Sequence, residues 1–285
     1  MLEGSVQSWL VMSARVALAL LLLWAASGLL LALLQTHLLY LAARPTLAAV
    51  RAEAEPRGLL PWPSADDYRG LVREPAGQAR ATLVLLHGNA GHAGGRAWFA
   101  DRFVALGVRV ILAEYPGYGP RPGRPGEEAL VGDAVATLAL ARAQNPGPLW
   151  LAGESLGAGV AAAAVARAPD AVDALLLITP WDTLANAARH HYFWLPVRTL
   201  LRDRYDSVAH LQNWRRPVAV LLAANDRIVP AALGQALYDA LPGPKRLWRI
   251  PDADHNDWML AGPASESLWL ELLAFMADER PSPTR

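Results

Sequence analysis

The 285-residue sequence predicts an α/β fold with a doubly wound, mostly parallel sheet and a small helical cap, preceded by one N-terminal transmembrane helix. Short apolar runs alternate with longer segments of helical period, which is the pattern of parallel strands joined by crossover helices. A run of about 19 uncharged residues near the N-terminus has the length that spans a hydrocarbon core. An aromatic-rich interval late in the chain breaks the alternation and predicts the cap.

The composition excludes several classes of function. Acidic and basic residues balance at 26 each, so no net charge favours nucleic acid, and we expect none as a partner. The absence of cysteine excludes disulfides, thiolate nucleophiles and cysteine-based zinc sites. We therefore expect chemistry that needs neither a metal nor a cofactor.

Residues 1–43 are expected to form a membrane anchor, because the run from Val16 to Leu34 carries no charge. A cleaved signal peptide is the alternative, although its apolar region would usually be shorter. Arg15 precedes the run, whereas Arg44 and Arg51 follow it. These charges do not decide on which side of the membrane the following domain lies.

The remaining chain divides into an entry segment, a domain and a tail. Prolines at 45, 56, 61 and 63 predict a linker and an irregular domain entry over 44–67, followed by an α/β domain over 68–279 and a tail over 280–285. The cap is predicted within this domain at 181–216. Strands are predicted at 68–73, 81–87, 108–113, 148–152, 174–179, 218–223 and 246–250, and helices at 94–106, 127–144, 157–168, 231–241 and 264–279.

The stretch Gly153-Glu154-Ser155-Leu156-Gly157 lies between a predicted strand and a predicted helix. A nucleophilic serine on a sharp strand-to-helix turn needs small neighbours, because the two elements nearly touch there. Gly153 and Gly157 provide this room. The pattern therefore predicts Ser155 as a nucleophile, with Glu154 exposed beside it.

A serine hydroxyl needs an imidazole to take its proton, and the imidazole needs a carboxylate to orient it. Asp226 follows one predicted strand and His255 follows the last one, which gives the order Ser, Asp, His along the chain. Asp182 ends an earlier strand and is an alternative acid. Because Asp182 precedes helix-like sequence and suits a capping role, Asp226 is favoured.

Five ordered motifs, HGNAG, EYPGYG, GESLG, ANDRIVP and DADHND, together resemble the α/β-hydrolase superfamily, and specifically its membrane-anchored, serine-aminopeptidase-like branch. The interval HHYFWLPVRTLLRDRYDS resembles the short cap of that branch. The resemblance covers roughly residues 60–276. It implies the α/β-hydrolase fold and serine hydrolase chemistry on an ester, a thioester or an amide.

The oxyanion of such a reaction needs preorganised donors. The backbone N–H of Leu156 directly follows the nucleophile at a helix start, and a second donor is expected in the loop after His87, most simply the N–H of Asn89. His87 itself is expected to order this loop.

His190 and His191 occupy adjacent helical positions that do not face one centre, so no metal site is expected there.

The leading hypothesis is a membrane-anchored serine hydrolase that transfers an acyl group from an ester or thioester to Ser155 and then to water. The expected substrate is a small acyl compound, for which the aromatic cap and the membrane tether suggest a lipid-derived ester. We expect the protein to contact the membrane through its N-terminal helix. Two alternatives stay open: a peptidase or amidase on small peptides, and a non-catalytic α/β-hydrolase-fold protein used for binding. The sequence does not specify an oligomeric state.

Overall fold

The computed structural model describes residues 2–259 and 266–277. The predicted tail at 280–285 and both ends of the predicted last helix lie outside the described residues. The helices are α1 (Leu2–Leu39), α2 (Leu47–Ala54), α3 (Ala97–Ala105), α4 (Glu127–Gln144), α5 (Leu156–Arg167), α6 (Leu184–His191), α7 (Val197–Leu200), α8 (Ser207–Leu211), α9 (Ala231–Ala240) and α10 (Glu266–Ala277). The strands are β1 (Leu41–Ala42), β2 (Leu60–Pro63), β3 (Tyr68–Arg73), β4 (Ala81–Leu86), β5 (Ala90–Gly91), β6 (Val108–Ala113), β7 (Leu149–Glu154), β8 (Ala174–Ile178), β9 (Val218–Ala223) and β10 (Lys245–Ile250).

Eight strands form one sheet in the order β10-β9-β8-β7-β4-β6-β3-β2. The strands from β10 to β6 pair in parallel, whereas β3 and β2 are antiparallel additions at one edge. The central strands are buried along their whole length, as expected for a sheet covered on both faces. This arrangement confirms the predicted fold class.

The predicted irregular linker at 44–67 is wrong in part, because it contains α2 and β2. The Thr46 side chain accepts a hydrogen bond from the Ala49 N–H at 3.2 Å and so caps the start of α2. Pro61 and Pro63 lie in β2, which is tolerated because β2 forms the edge of the sheet. The prolines therefore mark an edge strand, where sequence inspection suggested a loop.

Helices cover both faces of the sheet. Residues of α4, α5 and α9 share one buried cluster, and residues of α2, α3 and α10 share the other. Along the sheet, β4 lies between β6 and β7, so the crossovers through α3 and α4 lead to opposite sides of β4. The carboxyl ends of β4 and β7 therefore flank a topological switch point, which is where ligand sites form in open α/β sheets.

The N-terminal helix α1 extends over 38 residues and is longer than the predicted apolar run. Its part from Trp9 to Leu39 is long and apolar enough to cross a membrane. After α1, the short strand β1 pairs in parallel with β5, which follows β4 in the chain. The end of α1 is thereby tied to the loop at the carboxyl end of a central strand.

Candidate active site

Ser155 lies on the sharp turn between β7 and α5. Its φ of 53° and ψ of −113° place it in a region that non-glycine residues rarely adopt, and its N–H donates to the Ile178 carbonyl at 2.9 Å. A methyl group on Gly157 would overlap the Leu86 carbonyl oxygen, and one on Gly153 would overlap the carbonyl of Gly157. Both positions flanking the serine therefore require glycine.

The structure brings Ser155, His255 and Asp226 together in one hydrogen-bonded chain. The Nε2 atom of His255 lies 2.9 Å from the Ser155 hydroxyl oxygen, and its Nδ1 atom lies 2.6 Å from Oδ2 of Asp226. All three side chains are buried. The arrangement allows the imidazole to accept the serine proton while the carboxylate fixes the other ring nitrogen as a donor.

The two acidic candidates have different surroundings. Oδ1 of Asp226 accepts the backbone N–H groups of Ile228 and Val229 at 2.9 and 2.7 Å, which leaves Oδ2 for His255. The carboxylate of Asp182 instead accepts the N–H of Thr183 and the side-chain amide of Asn186, both at 2.6 Å, and so stabilises the first turn of α6.

Asp254 connects the loops that carry the acid and the imidazole. Its Oδ1 accepts the backbone N–H of Arg227 at 3.0 Å and that of His255 at 2.8 Å, and its Oδ2 accepts the Arg227 guanidinium at 2.6 Å. The backbone donors of Arg227 and His255, followed by the guanidinium, lower the pKa of Asp254 to about 2. Asp254 therefore remains a carboxylate at neutral pH and holds the two loops together.

The backbone N–H groups of Asn89 and Leu156 are both available as donors near Ser155. Both residues line the same cavity as Ser155, and a methyl group on Gly88 would lie 3.7 Å from the Ser155 Cβ atom. Within residues 2–259 and 266–277, neither N–H donates to a backbone carbonyl. Asn89 and Leu156 therefore border the same cavity as Ser155, and the role of their N–H groups as oxyanion donors remains a prediction.

Three hydrogen-bond donors fix the backbone carbonyls of the loop from His87 to Asn89. The hydroxyl of Tyr115 donates to the His87 carbonyl at 2.8 Å, and that of Tyr118 donates to the Asn89 carbonyl at 3.0 Å. The Asn89 carbonyl also accepts the N–H of Leu41 in β1 at 2.9 Å. Burial, together with the charge of Glu114, raises the pKa of Tyr118 above its usual range, so its hydroxyl stays a donor.

A buried carboxylate that sequence inspection missed orders the same loop. Oε1 of Glu114 lies 3.0 Å from Nε2 of His87, and Oε2 accepts the Ala93 N–H at 3.0 Å. Both Glu114 and His87 are almost completely buried. Glu114 directly follows β6, and His87 directly follows β4, the neighbouring strand in the sheet. These positions at two adjacent strand ends were the signal in the sequence that could have revealed the pair.

The expectation that Glu154 is exposed is wrong. Glu154 is only 8% exposed, and its carboxylate accepts a hydrogen bond from the Arg96 Nε–H at 2.5 Å. A charged group can be buried at this turn because an oppositely charged partner compensates for the lost hydration. Arg96 also lies against the loop from His87 to Asn89, because a methyl group on Gly88 would be 3.7 Å from its guanidinium.

The two adjacent histidines of α6 have different contacts. The His191 Nε2 atom lies 2.8 Å from the Ile228 carbonyl oxygen, two residues after Asp226, whereas the His190 ring meets the His191 ring edge to face at 5.0 Å between centroids. His191 therefore links the cap to the loop that carries the acid.

A cavity of about 220 Å³ opens above Ser155. Its walls come from the cap, from the Asp226 loop and from the C-terminal half of α1, and they are mainly aliphatic. The residues that line it include Leu31, Gln35, Leu38, Leu39, Leu184, Leu195, Val197, Leu200, Leu201 and Val229. Among the described residues that line it there is no aspartate, glutamate, lysine or arginine, so the cavity favours an apolar group.

The parallel sheet, the serine on a sharp turn after β7 and the order of the three hydrogen-bonded residues are those of the α/β-hydrolase fold. The chain has this fold, and part of it matches a hydrolase family model. The family model described as serine aminopeptidase, S33, matches residues 77–202.

Proteins of known sequence and structure agree with this assignment. An uncharacterized protein of Mycobacterium tuberculosis is 39% identical over 185 residues, which cover 64% of this chain and 65% of that protein. The lysophosphatidylserine lipase ABHD12 of Danio rerio is 32% identical over 58% of this chain and 48% of its own length. The match thus spans less than two thirds of either relative.

Solved structures show the same fold at low sequence identity. The Pyrococcus furiosus esterase PF2001 aligns with a TM-score of 0.59 and 16% identity over 74% of this chain and 88% of its own. The monoacylglycerol lipase of Paleococcus ferrophilus aligns with a TM-score of 0.56 and 17% identity over 72% of this chain and 97% of its own. These similarities support the α/β-hydrolase fold alone.

Proposed function

We propose that this protein is a membrane-anchored serine hydrolase that cleaves an ester or thioester of an acyl group, with a lipid-derived ester as the favoured substrate. The observation that carries the proposal is the buried chain of hydrogen bonds from Ser155 through His255 to Asp226. It lies at the base of a mainly aliphatic cavity, which suits an acyl chain.

In the proposed reaction, the Ser155 oxygen attacks the acyl carbonyl carbon while Nε2 of His255 takes the serine proton. The N–H groups of Asn89 and Leu156 stabilise the oxyanion of the tetrahedral intermediate. The carbon–oxygen or carbon–sulfur bond then breaks, and His255 returns the proton to the leaving group. Water, activated by the same imidazole, hydrolyses the acyl-enzyme and releases a carboxylic acid.

Two further observations support a lipid substrate held at a membrane. The zebrafish relative is named a lysophosphatidylserine lipase, and a structural neighbour is named a monoacylglycerol lipase. The helix from Trp9 to Leu39 has the length and composition of a membrane span. A helix of this kind would hold the cavity next to lipid substrates.

A peptidase acting on small peptides is the second candidate, because the matching family model is described as a serine aminopeptidase. An aminopeptidase must bind the substrate's terminal ammonium group, for which a carboxylate is the natural partner. The described part of the cavity lining contains no carboxylate. This favours the ester over the peptide.

The test combines a fluorophosphonate probe with a matched pair of substrates. We expect the full-length protein in detergent micelles to be labelled at Ser155 and the Ser155→Ala variant not to be. We also expect turnover of a p-nitrophenyl acyl ester and slower turnover of an aminoacyl p-nitroanilide. Absence of labelling in folded protein would refute serine hydrolase chemistry, and exclusive turnover of the amide would refute the esterase proposal.

A further inference from the structure

The C-terminal half of α1 has one face packed against protein. Gly28 is buried, and Leu31, Gln35 and Leu39 are partly buried, at spacings of three or four residues that place them on one side of a helix. Leu30, on another side of the same turn, is 55% exposed. One face of this helical segment is thus committed to the protein, while the rest of its surface is available to lipid.

The packed face is attached to the cap at both ends. The Trp24 indole N–H donates to the Trp194 carbonyl at 3.0 Å. The side-chain oxygen of Gln35 accepts the Arg202 N–H at 2.8 Å, and its NH2 group donates to the Leu200 carbonyl at 3.2 Å. At about 1.5 Å of rise per residue, these attachments are roughly 16 Å apart along the helix. Helix and cap together enclose a space that is lined by residues of both.

This enclosed space is the cavity above Ser155. The C-terminal end of α1 lies nearest the serine. Two residues after this end, the N–H of Leu41 donates to the carbonyl of Asn89, which borders the cavity beside Ser155. Leu38 and Leu31 both line the cavity, and Leu31 lies roughly 10 Å farther along the helix at 1.5 Å per residue. The cavity thus extends along α1 away from the serine.

Building on the serine hydrolase function proposed above, we propose that the face of α1 from Leu31 to Leu39 is the wall of the acyl-chain site, and that Leu31 limits the length of the chain. The carbonyl end of the acyl group lies at Ser155, and its methyl end points toward Leu31. The segment that anchors the protein is then also the segment that selects its substrate.

The test compares Leu31→Trp with Leu30→Trp, which adds the same side chain to the adjacent, exposed position. The measured quantity is the ratio of kcat/KM for a laurate ester to that for a butyrate ester, with full-length protein in detergent micelles. We expect Leu31→Trp to lower this ratio by about tenfold or more, because the indole fills the distal end of the cavity. Leu30→Trp is expected to keep the wild-type ratio.

A second variant, Leu31→Ala, is expected to raise the ratio by enlarging the distal end. Equal ratios in wild type and both Leu31 variants would overturn the proposed wall. Fluorophosphonate labelling of Ser155 reports whether each variant is folded, and if Leu31→Trp is not labelled, the ratio of Leu31→Ala alone decides. Failure of the wild-type protein to be labelled or to turn over either ester would instead refute the proposed hydrolase function.

Discussion

Replacement of Asp226 by asparagine tests the assignment of the acid most directly. Oδ1 of Asp226 faces two backbone donors, at Ile228 and Val229, and Oδ2 faces His255. In the variant, the amide oxygen will stay with the two donors, because the opposite orientation would lose both hydrogen bonds at about 1–3 kcal/mol for each unsatisfied group. The amide NH2 group then points at Nδ1 of His255.

That orientation forces the wrong tautomer of the imidazole. Nδ1 must accept from the amide, so the ring proton moves to Nε2, which then cannot accept the proton of Ser155. We expect kcat for an acyl ester to fall by about 10⁴-fold, the effect of this change in a Ser-His-Asp triad. A loss of this size corresponds to about 5.4 kcal/mol in the activation free energy.

The matched control is Asp182→Asn, which alters the alternative acid. The N-cap of α6 is Thr183, and the Asp182 carboxylate accepts hydrogen bonds from the Thr183 N–H and the Asn186 side-chain amide. We therefore expect a stability loss of about 1 kcal/mol and little change in kcat. Steady-state hydrolysis of a soluble butyrate ester and thermal unfolding would be measured for both variants. A large loss of kcat in Asp182→Asn, together with near-normal activity in Asp226→Asn, would reverse the assignment.

Two further predictions concern the loops around the site. Trp258 is fully buried after the His255 loop, so Trp258→Ala should lower the free energy of unfolding by about 3–5 kcal/mol in chemical denaturation, whereas Phe193→Ala, at a 78% exposed position, should change it little. Leu41→Pro removes the N–H that holds the Asn89 carbonyl, and should lower kcat for a soluble ester by about tenfold, whereas Leu41→Ala keeps the donor and the rate. Equal losses within either pair would contradict the reasoning.

The features that sequence inspection predicted are those determined by local patterns. The bounds of β6, α4 and β9 agree with the predicted ranges, because each is a buried run or a helical period that ends at turn-forming residues. The requirement for glycine at 153 and 157 also follows from the local geometry of the turn. The order Ser, Asp, His along the chain was sufficient to predict that Asp226 partners His255.

The features that sequence inspection missed depend on partners distant in the chain. Glu154 was expected to be exposed, yet Arg96, 58 residues earlier, compensates its charge. The strand β1 has only two residues and no periodicity, so its pairing with β5 could not be recognised before the fold was known. The length of the apolar run likewise predicts a membrane span, but it does not indicate which face of α1 lines the cavity.

The attachment of α1 to the cap has a consequence for protein engineering. Hydrogen bonds from α1 to the cap begin at Trp24, and β1 continues the attachment to the loop from His87 to Asn89. A foreign apolar helix can therefore replace the residues before Trp24. The segment from Trp24 to Ala42 must be kept in any fusion or truncation of the hydrolase domain. The smallest complete hydrolase unit of this protein therefore begins inside α1.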